Sequence, residues 1–330
     1  MRLIASASVA IALLVIAGFA ATIALSRPKA PPPMPAMEAA GQAIGRWMND
    51  LPPYAFLTAR DGTRLGYRFF EGRSGGGIAV VVHGSTGSSI SMAGVARALA
   101  AKGVSSYMLD LRGHGESGPL GDIAYRGQLE DDMADLLAMV EQRHPRERRI
   151  LMGHSLGGAF AFRIASGPLG GRFDGVLATS PFLSPEAPVS RPSSGGWADA
   201  AVPRIMALSL LDSLGISAFG GLPVVAYAVP PDAPGKRASV YSHRLLANMS
   251  LPRDWRAALA AIARPAAIII GADDELFFAN AYAAAVTAAN PRIAVEVLPG
   301  MDHMATTLQP AALEHLADTV AKLRDAAPAR

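Results

Sequence analysis

The chain has 330 residues, and its 30 lysines and arginines against 27 aspartates and glutamates give a formal net charge of +3. Hydrophobic residues make up 51% of the composition, which excludes a largely disordered chain, because disordered chains are poor in such residues. The weak positive charge excludes a dedicated nucleic-acid-binding protein. The lack of cysteine excludes disulfides, thiolate metal sites and a cysteine nucleophile.

The first predicted element is an apolar helix at the N-terminus. No residue from Leu3 to Leu25 is charged, and a helix of this length would measure about 34 Å, enough for a hydrocarbon core of about 30 Å. We therefore predict that residues 1–26 form a single-pass transmembrane helix that anchors the protein in a membrane, with the rest of the chain outside the cytoplasm. A cleaved signal segment, and hence a secreted protein, is the alternative, because small residues alternate near its end.

The next segment is rich in proline. Five prolines lie between Arg27 and Pro35, and this density predicts a stiff, non-helical linker over residues 27–40. We predict that residues 41–330 form one globular domain, and that the segment before it serves location and not chemistry. A chain that begins near Gly41 is therefore expected to keep its activity.

Strands and helices alternate through the rest of the chain. Strands are predicted at 64–70, 78–82, 104–109, 149–153, 175–179, 266–270 and 293–298, and helices at 128–143, 156–165 and 311–323. This alternation predicts an α/β fold with a mostly parallel, doubly wound sheet. Residues 184–252 break the alternation, being rich in Pro and Gly around an apolar helix candidate at 198–214. Because a loop of this length is improbable inside a compact domain, we predict an inserted cap.

The clearest chemical signal is the sequence Gly-His-Ser-Leu-Gly at residues 153–157, where a predicted strand meets a predicted helix. A serine at such a place sits on a tight, strained turn with its hydroxyl exposed above the sheet edge, and the flanking glycines leave room for the turn. The N-terminus of the following helix favours an anion beside it. The pattern predicts Ser155 as a nucleophile, although a helix-capping serine is the structural alternative.

A serine hydroxyl needs a general base that a third group holds in place. Asp274 and His303 each follow a predicted strand directly, and the carboxyl ends of parallel strands meet at one edge of a sheet. Ser155, Asp274 and His303 therefore predict a catalytic triad, in the chain order typical of α/β-hydrolases. Asp273 and Glu275 are the alternatives for the acid.

Five short motifs in this order resemble the α/β-hydrolase superfamily, and most of all its monoacylglycerol lipase and lysophospholipase branch. They are His83–Ser85, Asp110–Ser117, Gly153–Gly158, Gly271–Asp274 and Gly300–His303. The resemblance covers about residues 60 to 325 and implies a serine hydrolase that cleaves carboxylic esters of lipid-like monoacyl substrates through an acyl-enzyme. It also implies an oxyanion hole made by the backbone N–H groups of Ser85 and Leu156, and an acid at the last position of the Gly-x-x-Asp motif, Asp274.

Other residues receive more modest interpretations. Asp110 and Arg112 are predicted to brace a loop by an ion pair. Apolar side chains in the predicted cap are expected to line an acyl channel; they are Val202, Ile205, Met206, Leu210, Leu211, Leu214 and Phe219.

The chain shows no sequence signal for a metal or a cofactor. No His, Asp and Glu cluster has ligand spacing, and the glycine run at 75–77 precedes its strand instead of following it. The predicted partners are a small ester or lipid substrate and, through the N-terminal helix, a membrane. Two alternatives stay open on the same residues: a non-catalytic protein of this fold that binds a lipid or a partner, and an amidase or acyltransferase.

Overall fold

The structure is a computed structural model that describes residues 2–326, without the side chains of residues 2–12 and 15. Its strands are, in chain order, β1 (Ala55–Thr58), β2 (Arg64–Phe70), β3 (Ile78–Val82), β4 (Ser105–Leu109), β5 (Arg149–His154), β6 (Gly175–Thr179), β7 (Ala198–Ala200), β8 (Pro223–Tyr227), β9 (Val240–Ser242), β10 (Ala266–Gly271) and β11 (Ile293–Leu298). Its helices are α1 (Arg2–Leu25), α2 (Pro35–Gly45), α3 (Ala93–Ala101), α4 (Gln128–Arg143), α5 (Leu156–Ser166), α6 (Val202–Ser213), α7 (His243–Met249), α8 (Trp255–Ala261), α9 (Tyr282–Ala289), α10 (Ala305–Leu308) and α11 (Pro310–Ala326).

Eight strands form the main sheet, in the order β1-β2-β4-β3-β5-β6-β10-β11. The six strands from β4 to β11 pair in parallel, and β1 and β2 are antiparallel at one edge. The β-branched run of β3 is buried at every position, as expected for a strand covered on both faces. This architecture confirms the predicted mostly parallel sheet.

The sheet is covered by helices on both faces. On one face Val80 packs in the same core cluster as Phe160 of α5. On the other, Val81 shares a cluster with Leu99 of α3 and Leu316 of α11. Successive residues of β3 thus serve opposite faces, and full burial of each such side chain stabilises the fold by about 1.5–3 kcal/mol.

The region between β6 and α8 forms the cap. It contains an antiparallel sheet in the order β7-β8-β9, together with α6 and α7. The helix predicted at 198–214 begins later, at Val202, because Ala198–Ala200 pairs with β8. The buried side of α6 consists of Arg204, Ala207 and Leu208.

The prediction of a transmembrane helix at the N-terminus is wrong. Within the residues whose side chains the structure describes, no helix is both long and apolar enough to cross a membrane. This finding contradicts the predicted transmembrane helix over residues 1–26 and the single-pass location inferred from it. Helix α1 contacts α6 of the cap, and the Arg204 guanidinium of α6 donates a hydrogen bond to the carbonyl of Ala24 (3.1 Å). Side chains 1–12 and 15, which the prediction also covers, lie outside the described part.

Helix α2 begins inside the segment predicted as linker. Pro35 lies in its first turn, where the missing N–H has no intrahelical acceptor and the fixed φ of proline suits a helix. Met37, Ala40 and Ile44 on one face of α2 are buried. The folded part of the chain therefore starts before residue 41, and the linker is shorter than predicted.

Candidate active site

Ser155 occupies a strained turn between β5 and α5. Its φ of 54° lies in the left-handed region, which costs a non-glycine residue about 1–3 kcal/mol. Its N–H donates to the carbonyl of Thr179 (2.8 Å), which helps to hold the turn. A Cβ at Gly153 would collide with the carbonyl of Gly157, and one at Gly157 with the carbonyl of His83. The two glycines are therefore required by the close approach of backbones.

His303 and Asp274 form a buried pair at the carboxyl ends of β11 and β10. The Nδ1 of His303 lies 2.8 Å from Oδ2 of Asp274, and the two side chains are 2% and 0% exposed. The other carboxylate oxygen, Oδ1, accepts hydrogen bonds from the N–H groups of Leu276 (2.9 Å) and Phe277 (3.0 Å). Both oxygens are thus held, so the imidazole has a fixed orientation.

The neighbouring carboxylates occupy other positions. Asp273 is exposed. Glu275 accepts a hydrogen bond from the backbone N–H of His303 (2.9 Å), and not from its ring. Asp302 accepts the N–H of Ala305 at the start of α10 (2.7 Å). Among Asp273, Asp274 and Glu275, the three acids considered for the triad, only Asp274 has its carboxylate in contact with the imidazole of His303 in the described residues.

The two members of the pair shift each other's pKa in opposite directions. Burial alone would raise the pKa of Asp274, but the charge and hydrogen bond of His303 hold it below its usual value. Burial alone would lower the pKa of His303, but Asp274 raises it above its ordinary value. The imidazole is therefore a stronger base than in water, and the cation formed when it takes a proton is stabilised.

Two backbone N–H groups lie near Ser155, one from the loop after β3 and one from the start of α5. Within residues 2–326, the backbone N–H groups of Ser85 and Leu156 donate no hydrogen bond. Leu156 is the first residue of α5. A Cβ at Gly84 would lie 3.2 Å from Cβ of Ser155, so this loop runs directly beside the serine. Trp197 of the cap donates its Nε1–H to Oγ of Ser85 (2.9 Å). Two free donors beside a serine can bind a developing oxyanion.

The ring of His83 makes two hydrogen bonds that hold the loop after β3 in place. Its Nε2 accepts the N–H of Leu111 (3.2 Å), so the ring proton resides on Nδ1, which donates to the carbonyl of Gly84 (2.8 Å). Burial lowers the pKa of His83 to about 4. The neutral ring therefore holds one tautomer near pH 7 and fixes the loop.

A cavity of about 70 Å³ connects these groups, and Ser155, His303 and Ser85 lie in its wall. Its apolar lining comes from α2, the cap and the loops beside the sheet; it includes Met37, Ala40, Ile44, Trp197, Val229, Pro230, Ala233, Leu276 and Met304. None of the seven cap residues expected to form an acyl channel lines the cavity. Met206 and Leu210 of α6 are instead exposed, because the buried face of α6 carries Arg204, Ala207 and Leu208.

Several residues of the site escaped sequence reasoning. Arg237 lines the cavity, donates to Oγ of Ser91 (3.1 Å), and has no carboxylate within 4 Å in the described chain. No sequence motif marks it, nor Trp197. Arg112 does not pair with Asp110 as predicted; it contacts Asp132 (2.7 Å). Asp110 accepts the backbone N–H of Glu116 in its own loop and that of Ser89 in the segment after β3. Over the described residues no group of three His, Asp or Glu side chains could hold a metal ion.

Comparison with known proteins gives one family match. The sequence profile of the serine aminopeptidase S33 family matches residues 75–307. A monoacylglycerol lipase of Mycolicibacterium smegmatis is 32% identical over 116 residues, which are 30% of this chain and 40% of that protein. The matched part thus spans less than half of this curated relative.

Solved structures show the fold. A monoacylglycerol lipase of Paleococcus ferrophilus superimposes with a TM-score of 0.58 at 21% identity, over 79% of this chain and 98% of the other. A soluble variant of the monoglyceride lipase of Saccharomyces cerevisiae, in complex with a substrate analogue, gives 0.60 at 17% identity, over 84% and 96%. The chain thus has the fold of these lipases.

Proposed function

Because the chain belongs to the serine aminopeptidase S33 family, a family of α/β-hydrolases, we propose that it hydrolyses carboxylic esters of lipid-like monoacyl substrates through an acyl-enzyme on Ser155. The observation that carries the proposal is the buried His303–Asp274 pair, because His303 lies in the wall of the same cavity as Ser155.

The proposed reaction has two steps. In the first, Oγ of Ser155 attacks the ester carbonyl carbon while Nε2 of His303 takes the hydroxyl proton, and Asp274 stabilises the resulting imidazolium. The N–H groups of Ser85 and Leu156 hold the oxyanion, each such donor contributing about 10²–10³ in rate. The intermediate expels the alcohol, which leaves with the proton from His303. In the second step His303 activates water, which attacks the acyl-enzyme, releases the carboxylic acid and restores Ser155.

The apolar cavity supports a substrate with an aliphatic acyl group. Eight of its nineteen lining residues are Met, Leu, Ile, Val, Ala or Trp, and an apolar surface of this kind favours a methylene chain over water. The monoacylglycerol lipase among the relatives points in the same direction.

The acyl-length profile tests this substrate class. We expect kcat/KM on p-nitrophenyl esters, measured below the micellar limit, to rise about fourfold per methylene until the cavity is filled, because each buried methylene contributes about 0.8 kcal/mol. An amide of the best acyl group serves as the matched substrate for an amidase. A profile that peaks at the acetate ester and falls steadily with acyl length would refute the lipid-like substrate class. Faster hydrolysis of the amide than of the matched ester would refute the assignment as an ester hydrolase.

A further inference from the structure

The helix α2 lies outside the segment matched by the family profile, which begins at residue 75, yet it reaches the proposed site. We propose that α2 supplies one wall of the acyl-binding site, and that Met37, Ala40 and Ile44 set the acyl length the enzyme accepts. These three residues are called the α2 wall below. The inference rests on the proposed ester hydrolysis and adds the element that determines its chain-length specificity.

The spacing of the α2 wall places its residues on one side of the helix. Positions 37, 40 and 44 are three and four residues apart, which aligns side chains along one face. They are 7%, 5% and 3% exposed, whereas Ala39, on a different face of the helix, is exposed. The apolar face of α2 is therefore directed into the protein, towards the sheet and the cap.

The α2 wall does more than fill the core, because it borders an open space. Met37, Ala40 and Ile44 line the same cavity as Ser155 and His303. A core stripe would meet protein atoms along its whole face, but this one leaves about 70 Å³ between itself and the catalytic groups. An acyl group bound covalently to Ser155 would extend into that space.

Contacts at both sides hold α2 in this position. Trp47, two residues after the end of the helix, packs so closely on α3 that a Cβ at Gly94 would collide with its ring. Near the middle of α2, a Cβ at Gly41 would lie 3.9 Å from Cδ of Pro234 in the cap. The carbonyl of Met34 accepts the N–H groups of Met37 and Glu38 in the first turn. A helix fixed between α3 and the cap presents a wall of defined position.

Size changes in the α2 wall provide the test, in the full-length protein. Ala40→Leu adds three carbon atoms towards the cavity, so we expect the kcat/KM ratio of octanoyl to acetyl ester to fall by about tenfold or more, since two unburied methylenes account for about 16-fold. Met37→Ala removes three side-chain atoms and is expected to shift the best acyl length two or three carbons upward. Ala39→Leu makes the same chemical change on the exposed face of α2 and should keep the wild-type ratio.

The outcomes separate this inference from the proposed function. If wild-type protein hydrolyses none of the esters, the proposed function fails first. If wild-type protein is active, but Ala40→Leu and Met37→Ala both retain its acyl profile with melting temperatures near wild type, the α2 wall does not set acyl length. A change of the same size in Ala39→Leu would also overturn the inference, because the effect would then belong to the helix and not to the face. Should Ala40→Leu fail to fold, Met37→Ala decides alone.

Discussion

Ser155→Ala is expected to lower kcat/KM on a soluble ester by at least about 10³-fold, with a melting temperature near that of wild type. The substitution removes the oxygen that would form the acyl-enzyme, and the remaining rate would come from binding and the oxyanion donors. The turn tolerates alanine as well as serine, because both have a Cβ and share the same positive φ. Steady-state kinetics and thermal melting on the same preparation provide the measurement. Retained activity in a preparation free of other esterases would exclude Ser155 as the nucleophile.

Asp274→Asn is expected to lower kcat/KM by about 10²–10⁴-fold. An asparagine can offer its N–H to Nδ1 of His303, which would place the ring proton on Nε2, where the base must be free to accept one. Asp273→Asn is the matched control, because it makes the same chemical change at an exposed position one residue away. Its activity should stay within about threefold of wild type. If Asp273→Asn proved the more damaging of the two, the assignment of the acid would be wrong.

The pH dependence of kcat/KM in wild type and in Asp274→Asn tests the coupling of His303 and Asp274 independently of the loss of rate. His303 must be neutral to take a proton, and Asp274 raises its pKa above the ordinary value of 6.5. Wild-type kcat/KM should therefore fall with decreasing pH through an apparent pKa above 6.5. In Asp274→Asn the charge that raises this pKa is gone, so the acid limb of the residual activity should move to lower pH. An acid limb that is the same in both proteins would contradict the coupling of the pair.

The positions of Ser155, Asp274 and His303 in the fold could be predicted because the signals for them are local. The strand, turn and helix around Ser155 follow one another in the chain, and the glycines at 153 and 157 are required by backbone contacts within and beside that turn. Asp274 and His303 lie three and five residues beyond the ends of β10 and β11, so a correct strand assignment brings their side chains to one edge of the sheet. The choice between Asp274 and its neighbours, however, depended on which side chain faces the ring.

The covering of the site could not be predicted in the same way. The prolines before residue 36 indicated a linker, yet Pro35 is compatible with the first turn of a helix. The contacts that place α2, between Trp47 and Gly94 and between Gly41 and Pro234, join residues far apart in sequence. The apolar pattern of α6 likewise did not reveal that its buried face holds Arg204, so the expected acyl channel was assigned to residues that are mostly exposed.

If Ser155 is an activated nucleophile, it should react covalently with a fluorophosphonate probe. Only a serine with a functioning base and oxyanion hole reacts rapidly with such a probe, whereas a non-catalytic protein of the same fold does not. We predict a single adduct on the peptide that contains Ser155, located by mass spectrometry, with labelling abolished in Ser155→Ala and strongly slowed in Asp274→Asn. Folded wild-type protein that remains unlabelled, or an adduct at another serine, would contradict the account.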